Sequence, residues 1–318
     1  MPDWQNSDEW ITLITRISST IKGKLGDSPS GFKETRRFAA DLIYLCSVLS
    51  RMSSCSPEDQ ESIEQLVVGY GEIWSARLLT QTMRDDYGRS AAFLDAREVL
   101  VVCQDGLQIT VDWETSKDRL KKWFFQCRWC DVLVVTGFIA RNIDGMPTTL
   151  KRNGSDFSAT IFSVLTKANS VTIWKDVNGM YTADPKKHAD AQFIPYQTFE
   201  EAEEASRRGA FVIQADCIAP AKMFNIPIFL RNCFRLEHPG TRIGSPVAQA
   251  ETEKPAQEPV KPEDTLMDSI AGISASSVES EVGFSTSSAE ETSPSEVYPL
   301  CSDSDPMLDE PSVYEIIV

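Results

Sequence analysis

The run Lys151-Arg-Asn-Gly-Ser-Asp-Phe-Ser-Ala159 sets two cations, a glycine and short polar side chains directly ahead of the apolar stretch Thr160-Ile-Phe-Ser-Val-Leu165. Gly154 permits a tight turn, and Ser155 or Asp156 can cap the helix that follows. The first-turn N–H groups and the positive end of the helix dipole favour an anion there. Arg152 suits a carboxylate, because its guanidinium binds both oxygens at once. A plain capped helix with solvated basic residues explains the same stretch without a ligand.

Two further stretches carry chemistry-bearing residues. Val171-Thr-Ile-Trp-Lys-Asp-Val-Asn-Gly-Met-Tyr-Thr-Ala-Asp-Pro185 reads as a buried strand ending at Trp174, then a loop with turn residues Asn178, Gly179 and Asp184-Pro185. Ligands in open α/β sheets sit at the carboxyl ends of strands, where this loop emerges. Asp176 and Tyr181 are placed to hydrogen-bond a nucleotide there, and Tyr181 to pack on it; a hairpin-like connection needs the same Gly and Pro. Val68-Gly-Tyr-Gly-Glu-Ile-Trp-Ser75 opens a helix through Leu78 and Leu79. Its glycines allow close backbone approach, and Glu72 at the helix start can take an amine or serve simply as a favourable N-terminal acid.

These stretches need a scaffold, and the pattern supplies one. Residues 1–60 read as helical, with Trp10, Leu13, Ile14 and Ile17, then Phe38, Leu42, Leu45 and Leu49, at helical spacing. Ser56 can cap a helix entering through Pro57 and Glu58. From 61 to 243, short β-branched runs (Val99–Cys103, Val132–Thr136, Val171–Trp174, Pro227–Leu230) suggest strands buried on both faces. Helices are expected near 72–84, 115–127, 157–168, 198–208 and 217–224, giving an α/β fold with a largely parallel sheet. Residues 244–318 are rich in Ser, Glu and Pro and are expected to be disordered. The closing Tyr314-Glu-Ile-Ile-Val318 reads either as a short linear motif or as a chance apolar end.

Charge and composition bound the function. The chain has a net charge of -16, but 16 Asp+Glu against 2 Lys fall from Gly244 to Val318, so residues 1–243 are near neutral. No basic face is offered to nucleic acid. No apolar run approaches the roughly 18 residues that span a bilayer, and the acidic start resembles neither a signal nor a transit peptide. Cys127-Arg-Trp-Cys130 is a lone pair in a chain with 2 histidines, so ordinary thiols are expected and no metal site.

In order and spacing, GYGEIWSARLL, FLDAREVLVV, VVTGFIA, PTTLKRNGSDFSA, VTIWKDVNGMYTADPKK, IPIFLRNCF and PGTRI resemble aspartokinases, most of all the kinase half of plant-type bifunctional aspartokinase–homoserine dehydrogenase. The resemblance runs from Gly69 to Ile243. It implies a three-layer α/β/α sandwich of the amino-acid kinase type, incomplete at its N-terminus and followed by the disordered tail. It further implies phosphoryl transfer from ATP, with Mg²⁺ carried by the nucleotide, to L-aspartate, the first step toward lysine, threonine and methionine. Carried over by motif, Arg152 holds the substrate carboxylate and Glu72 its amino group. Ser155 and Asp156 line the reacting centre, and Lys175, Asp176, Tyr181 and Lys186 face the nucleotide. A homo-oligomer is compatible with the family; neither nucleic acid nor membrane is implied. Residues 1–318 read as cytoplasmic, or as plastidic if a transit peptide lies in a missing N-terminal part.

This chain also departs from the pattern. Nothing matches the strand carrying Lys-Phe-Gly-Gly-Thr-Ser, whose lysine contacts the transferring phosphoryl group. Loss of such a donor typically costs about 10²–10³ in rate, with the oxyanion hole as guide. Lys175 stands where Thr is usual, Tyr70 where His is usual, and Lys186 where Arg is usual; Arg207–Asp216 has drifted, and ACT and dehydrogenase regions are not found. The two expectations are therefore an aspartate kinase lacking its first segment, or an inactive relative acting as a binding or interaction protein.

Overall fold

The computed structural model describes residues 8–26, 28–106, 108–126, 130–183, 185, 187–188, 190–208, 212–246 and 315–318. Three helices come first: α1 (Asp8–Leu25), α2 (Pro29–Leu49) and α3 (Pro57–Asp85). Ser28 and Ser56 cap α2 and α3 by accepting from the N–H of Gly31 and Asp59, with Pro29 and Pro57 at the first helical position. The Ser56–Pro57 signal is thus real. The helix it starts does not break at the glycines, so the expectation of a helix beginning near 72 is corrected: Glu72 lies deep inside α3. Two helical glycines cost about 1 kcal/mol each against alanine. At Gly69 the missing side chain makes room, since a Cβ there would lie 2.9 Å from Ile139 Cγ2.

The α/β body follows as β1 (Ala91–Leu94), α4 (Ala96–Val99), β2 (Val101–Asp105), β3 (Gln108–Val111), α5 (Trp113–Gln126), β4 (Val132–Val135), β5 (Ile139–Asn142), β6 (Pro147–Thr149) and α6 (Gly154–Leu165). It continues as β7 (Val171–Lys175), β8 (Met180–Tyr181), β9 (Phe193–Ile194), β10 (Tyr196–Gln197), α7 (Phe199–Arg207), α8 (Ala215–Met223), β11 (Ile228–Asn232), β12 (Thr241–Ile243) and β13 (Glu315–Ile317). The strand expected over Val99–Cys103 shifts to β2. Asp95 caps the short α4 by accepting from the N–H of Arg97, which takes Val99 out of the strand. The all-apolar β1 was not anticipated.

The central strands are parallel. Ala91–Leu94 of β1 face Val132–Val135 of β4 in register, and β7 pairs with β11 from Val171↔Ile228 to Lys175↔Asn232. Hairpin-like partners are antiparallel, as in β5–β6 and β8–β9. Every residue of β4 is buried, which accounts for its unbroken valine and leucine run. Val132 and Val134 pack with Ala76, Leu79 and Met83 of α3, while Leu133 and Val135 share a core with Ile161 and Phe162 of α6. Helices therefore cover both faces, giving a three-layer α/β/α sandwich.

The described residues up to Ser245 and residues 315–318 belong to one compact unit. Most of the stretch expected to be disordered lies outside the described residues. Its end does not: Glu315–Ile317 form β13, parallel to β4 in the register Glu315↔Val132 to Ile317↔Val134. Reading this end as structureless is corrected, because alternate apolar side chains find a core on each side of the sheet.

Candidate functional site

The site is built where β4, β7 and α6 meet. β4 ends at Val135, and the Oγ1 of the next residue, Thr136, accepts from the N–H of Ala96. The chain then turns through Gly137 and Phe138, with Phe138 at φ 66° and the Ile139 N–H donating to Gly137 O at 2.7 Å. An i→i+2 bond about a non-glycine residue with positive φ is a γ-turn, an uncommon and strained one. Ser158 of α6 holds it: the Phe138 N–H donates to Ser158 Oγ at 2.9 Å. Leu150 N–H donates to Phe138 O at 2.7 Å, tying the strand that leads into the Lys151 loop to the same turn.

That loop enters α6 through Lys151 and Asn153, both at positive φ. Asn153 occupies the cap position but makes no side-chain cap bond. Ser155 and Asp156 are therefore first-turn residues, and the expectation that either caps the helix is corrected. Gly154 is required for packing, since a Cβ would meet Phe138 Cδ2 at 2.7 Å and Leu150 Cβ at 3.1 Å. Among the described residues, no acceptor meets the backbone N–H of Ser155 or Asp156. With the helix dipole, these donors make an anion-favouring end.

Asp156 is met from β7. Lys175 Nζ donates to Asp156 Oδ2 at 2.5 Å, with side chains 23% and 12% exposed. Lys175 is held in turn by its backbone: its carbonyl accepts from the Cys233 N–H at 2.9 Å. Asp176 follows, exposed at the carboxyl end of β7. Ser155 and Arg152 are also exposed, and Arg152 has no ion-pair partner among the described residues. Lys151 lies 3.9 Å from Glu61 of α3. Gln65 of the same helix accepts from Thr148 Oγ1 at 2.7 Å and the Thr149 N–H at 3.0 Å, clamping β6.

Glu72 lies on α3, within one turn of Gly69. Gly69 lies against Ile139, just past the Phe138 turn, and Glu72 is three residues on along the same helix face. Glu72 is half-buried, and burial pushes its carboxyl above the usual range. No ion-pair partner for it occurs among the described residues.

Tyr181 sits apart, in the β8–β9 pair. Its ring meets Phe193 edge-on at 5.6 Å, and its hydroxyl accepts from Asn178 Nδ2 at 3.4 Å. The loop before it is pinned to β12: the Met180 N–H donates to Thr241 Oγ1 at 2.8 Å, and Gly179 at φ 127° leaves no room for a side chain there. Lys186 lies outside the described residues. Asp156 and Lys175 thus come together beside Ser155, Asp176 and Arg152 adjoin them along the chain, and Tyr181 is committed to its own hairpin.

Sequence reasoning missed two residues here. Gly137 is one; a glycine closing a fully apolar strand was its signal. Cys217 of α8 is the other: its thiol meets Asn153 O at 3.7 Å, and burial, aided by Asp156, pushes it up to about 12. Nothing in sequence distinguishes it from other cysteines. A separate cleft of about 250 Å³ is lined by Tyr70, Asp95, Arg97, Glu98 and Arg141, with Arg97 paired to Asp95 at 2.6 Å. Among the described residues no three His, Cys, Asp or Glu gather as metal ligands, and no helix is long and apolar enough to cross a membrane.

A strand-turn-helix anion end met by a lysine from β7, in an α/β/α sandwich, points to a phosphoryl-handling class. The chain belongs to the amino acid kinase family, whose model matches residues 22–232. More particularly, it is 45% identical over 240 residues to bifunctional aspartokinase/homoserine dehydrogenase 1, chloroplastic, of Zea mays, covering 74% of this chain and 26% of that protein. It is 42% identical over 229 residues to bifunctional aspartokinase/homoserine dehydrogenase 2 of Escherichia coli strain K12, covering 72% and 28%. The chain thus spans about a quarter of the length of these curated relatives. Its fold is shared with E. coli aspartokinase III in complex with aspartate and ADP, at a TM-score of 0.58 and 23% identity over 74% of this chain and 56% of that one.

Proposed function

We propose that the body of this chain is an aspartate kinase site, binding Mg-ATP and L-aspartate side by side for transfer of the γ-phosphoryl group to the side-chain carboxylate, giving 4-phospho-L-aspartate. The observation that carries this reading is the α6 end: N–H groups of Ser155 and Asp156 that meet no acceptor among the described residues, with Lys175 Nζ on Asp156. Phosphoryl transfer asks a protein for positioning and charge stabilisation rather than covalent chemistry. Backbone donors and a lysine fixed by a carboxylate supply both. In this reading Mg²⁺ arrives on the nucleotide and neutralises its phosphates.

In this reading Arg152, exposed and without an ion pair among the described residues, takes the substrate carboxylate, and Glu72 takes its ammonium. Glu72 is already partly desolvated, so a substrate cation restores the charge compensation that burial removed. Ser155 borders the acceptor carboxylate. Lys175 and Asp176 face the nucleotide. The relative complexed with aspartate and ADP supports this pairing of ligands. The test is isothermal titration of the full chain with Mg-ADP, then with L-aspartate in its presence. Saturable heats that Arg152→Ala abolishes for aspartate alone support the site; flat heats from folded protein reject it.

A further inference from the structure

A strand inside an α/β/α sandwich needs apolar side chains on both faces and a hydrogen-bonding neighbour on each edge. β4 has β1 on one edge. Its alternate amides show the phase: the Val132 and Thr136 N–H donate to Ser90 O and Leu94 O, on the β1 side. The ladder then turns the Leu133 and Val135 N–H to the opposite edge, where β13 lies parallel. The occupant fits both faces. Ile316 and Val318 pack into the α6-side core, while Ile317 packs with Val132, Val134 and the α3 side chains.

Two features mark this neighbour as separable. Every β4 residue is buried, whereas Ile316, Ile317 and Val318 stay only half-buried. Residues 247–314 also intervene between β13 and the rest of its body, so no short connection fixes it. Its last side chain is placed against the site. A Cβ on buried Gly137 would lie 3.2 Å from Val318 Cγ1 and 2.9 Å from Ser155 Oγ, so the three share one small space.

We propose that the far edge of β4 is a strand-acceptor slot, that residues 315–318 are its reversible occupant, and that their release opens the space beside Gly137 and Ser155. Recognition is of the strand-addition kind: main-chain bonds hold the segment, and alternate apolar side chains set its register. The last clause of the proposal rests on the nucleotide reading above; the slot itself does not.

Residue-resolved amide exchange on the full chain tests it, with Ile316→Asp placing a charge on the core-facing side of β13. In the intact chain Leu133 and Val135 should exchange faster than Val132 and Val134, through local opening of one edge. In Ile316→Asp they should speed up by a further tenfold or so, with Val132 and Val134 unmoved. A peptide of residues 313–318 added at about millimolar concentration, the scale of a tethered segment, should slow them again. Unchanged Leu133 and Val135, or equal acceleration of all four amides, overturns the slot. For the last clause, Ile316→Asp should bind Mg-ADP about tenfold more tightly than the intact chain. Equal affinities overturn that clause alone; no binding by either chain overturns it together with the nucleotide reading, while the exchange data still decide the slot.

Discussion

The pair joining α6 to β7 sets a measurable expectation. Removing its cation by Lys175→Met leaves Asp156, 12% exposed, facing α6 without a counter-charge. Exposed pairs are worth about 0–1 kcal/mol, and stripping one partner from a fully buried pair costs about 3–5 kcal/mol. With side chains 23% and 12% exposed at an N···O distance of 2.5 Å, this pair belongs between those limits, at about 2 kcal/mol. For a body of this size that is a fall in Tm of about 4–8 °C. A double-mutant cycle of Lys175→Met and Asp156→Asn, followed by urea denaturation at neutral pH and low salt, isolates the pair. A coupling of about 1.5–2 kcal/mol is expected, with the double variant more stable than the two single losses add up to. Additivity within about 0.5 kcal/mol would refute the claim that these groups stabilise each other, and with it the idea that Lys175 is a fixed charge at the α6 end.

Gly154→Ala should cost about 1–3 kcal/mol by overpacking, because the new methyl would sit 2.7 Å from Phe138 Cδ2; an unshifted urea midpoint would contradict this. Glu72 gives a pH test. Its folded carboxyl titrates above the unfolded value, so its stability term is complete below the unfolded pKa and is lost as pH rises through the folded one. Glu72→Gln should therefore raise Tm at neutral pH while weakening aspartate binding, and wild-type affinity for aspartate should fall as pH drops through the raised value. Lower Tm in Glu72→Gln with intact aspartate binding would reverse both assignments. Cys217, its thiol pushed up to about 12, should stay unalkylated by iodoacetamide at pH 8 while exposed Cys103 and Cys233 react, as peptide mass spectrometry would show.

Much of this architecture can be read from the chain because burial writes itself into residue choice. Val132–Val135 could be placed by their unbroken apolar run, and the start of α3 by a serine–proline pair whose cap forms. The site elements were legible for the same reason: a Gly-Ser-Asp step before an apolar helix, and a loop leaving the end of a β-branched strand. What was lost depends on tertiary packing. Gly69 inside α3 makes room for Ile139, which is 70 residues away in sequence, and no local pattern reports that contact. The uncapped α6 end, with Ser155 and Asp156 inside the first turn, depends on left-handed turns at Lys151 and Asn153. β13 was not legible as a strand because three residues carry no period; only the edge of β4 they pair with gives them meaning.

The kinase reading makes two commitments for residues 1–318: a substrate pair bound at the α6 end, and, without a Lys-Phe-Gly-Gly-Thr-Ser element in this sequence, aspartate-dependent ADP release at background level. Binding tests the central claim most directly. Titrating L-aspartate into the folded chain saturated with Mg-ADP should give saturable heat, with Arg152→Ala abolishing the aspartate step while Mg-ADP still binds. Flat heats for both ligands, from protein shown to be folded, would contradict the account.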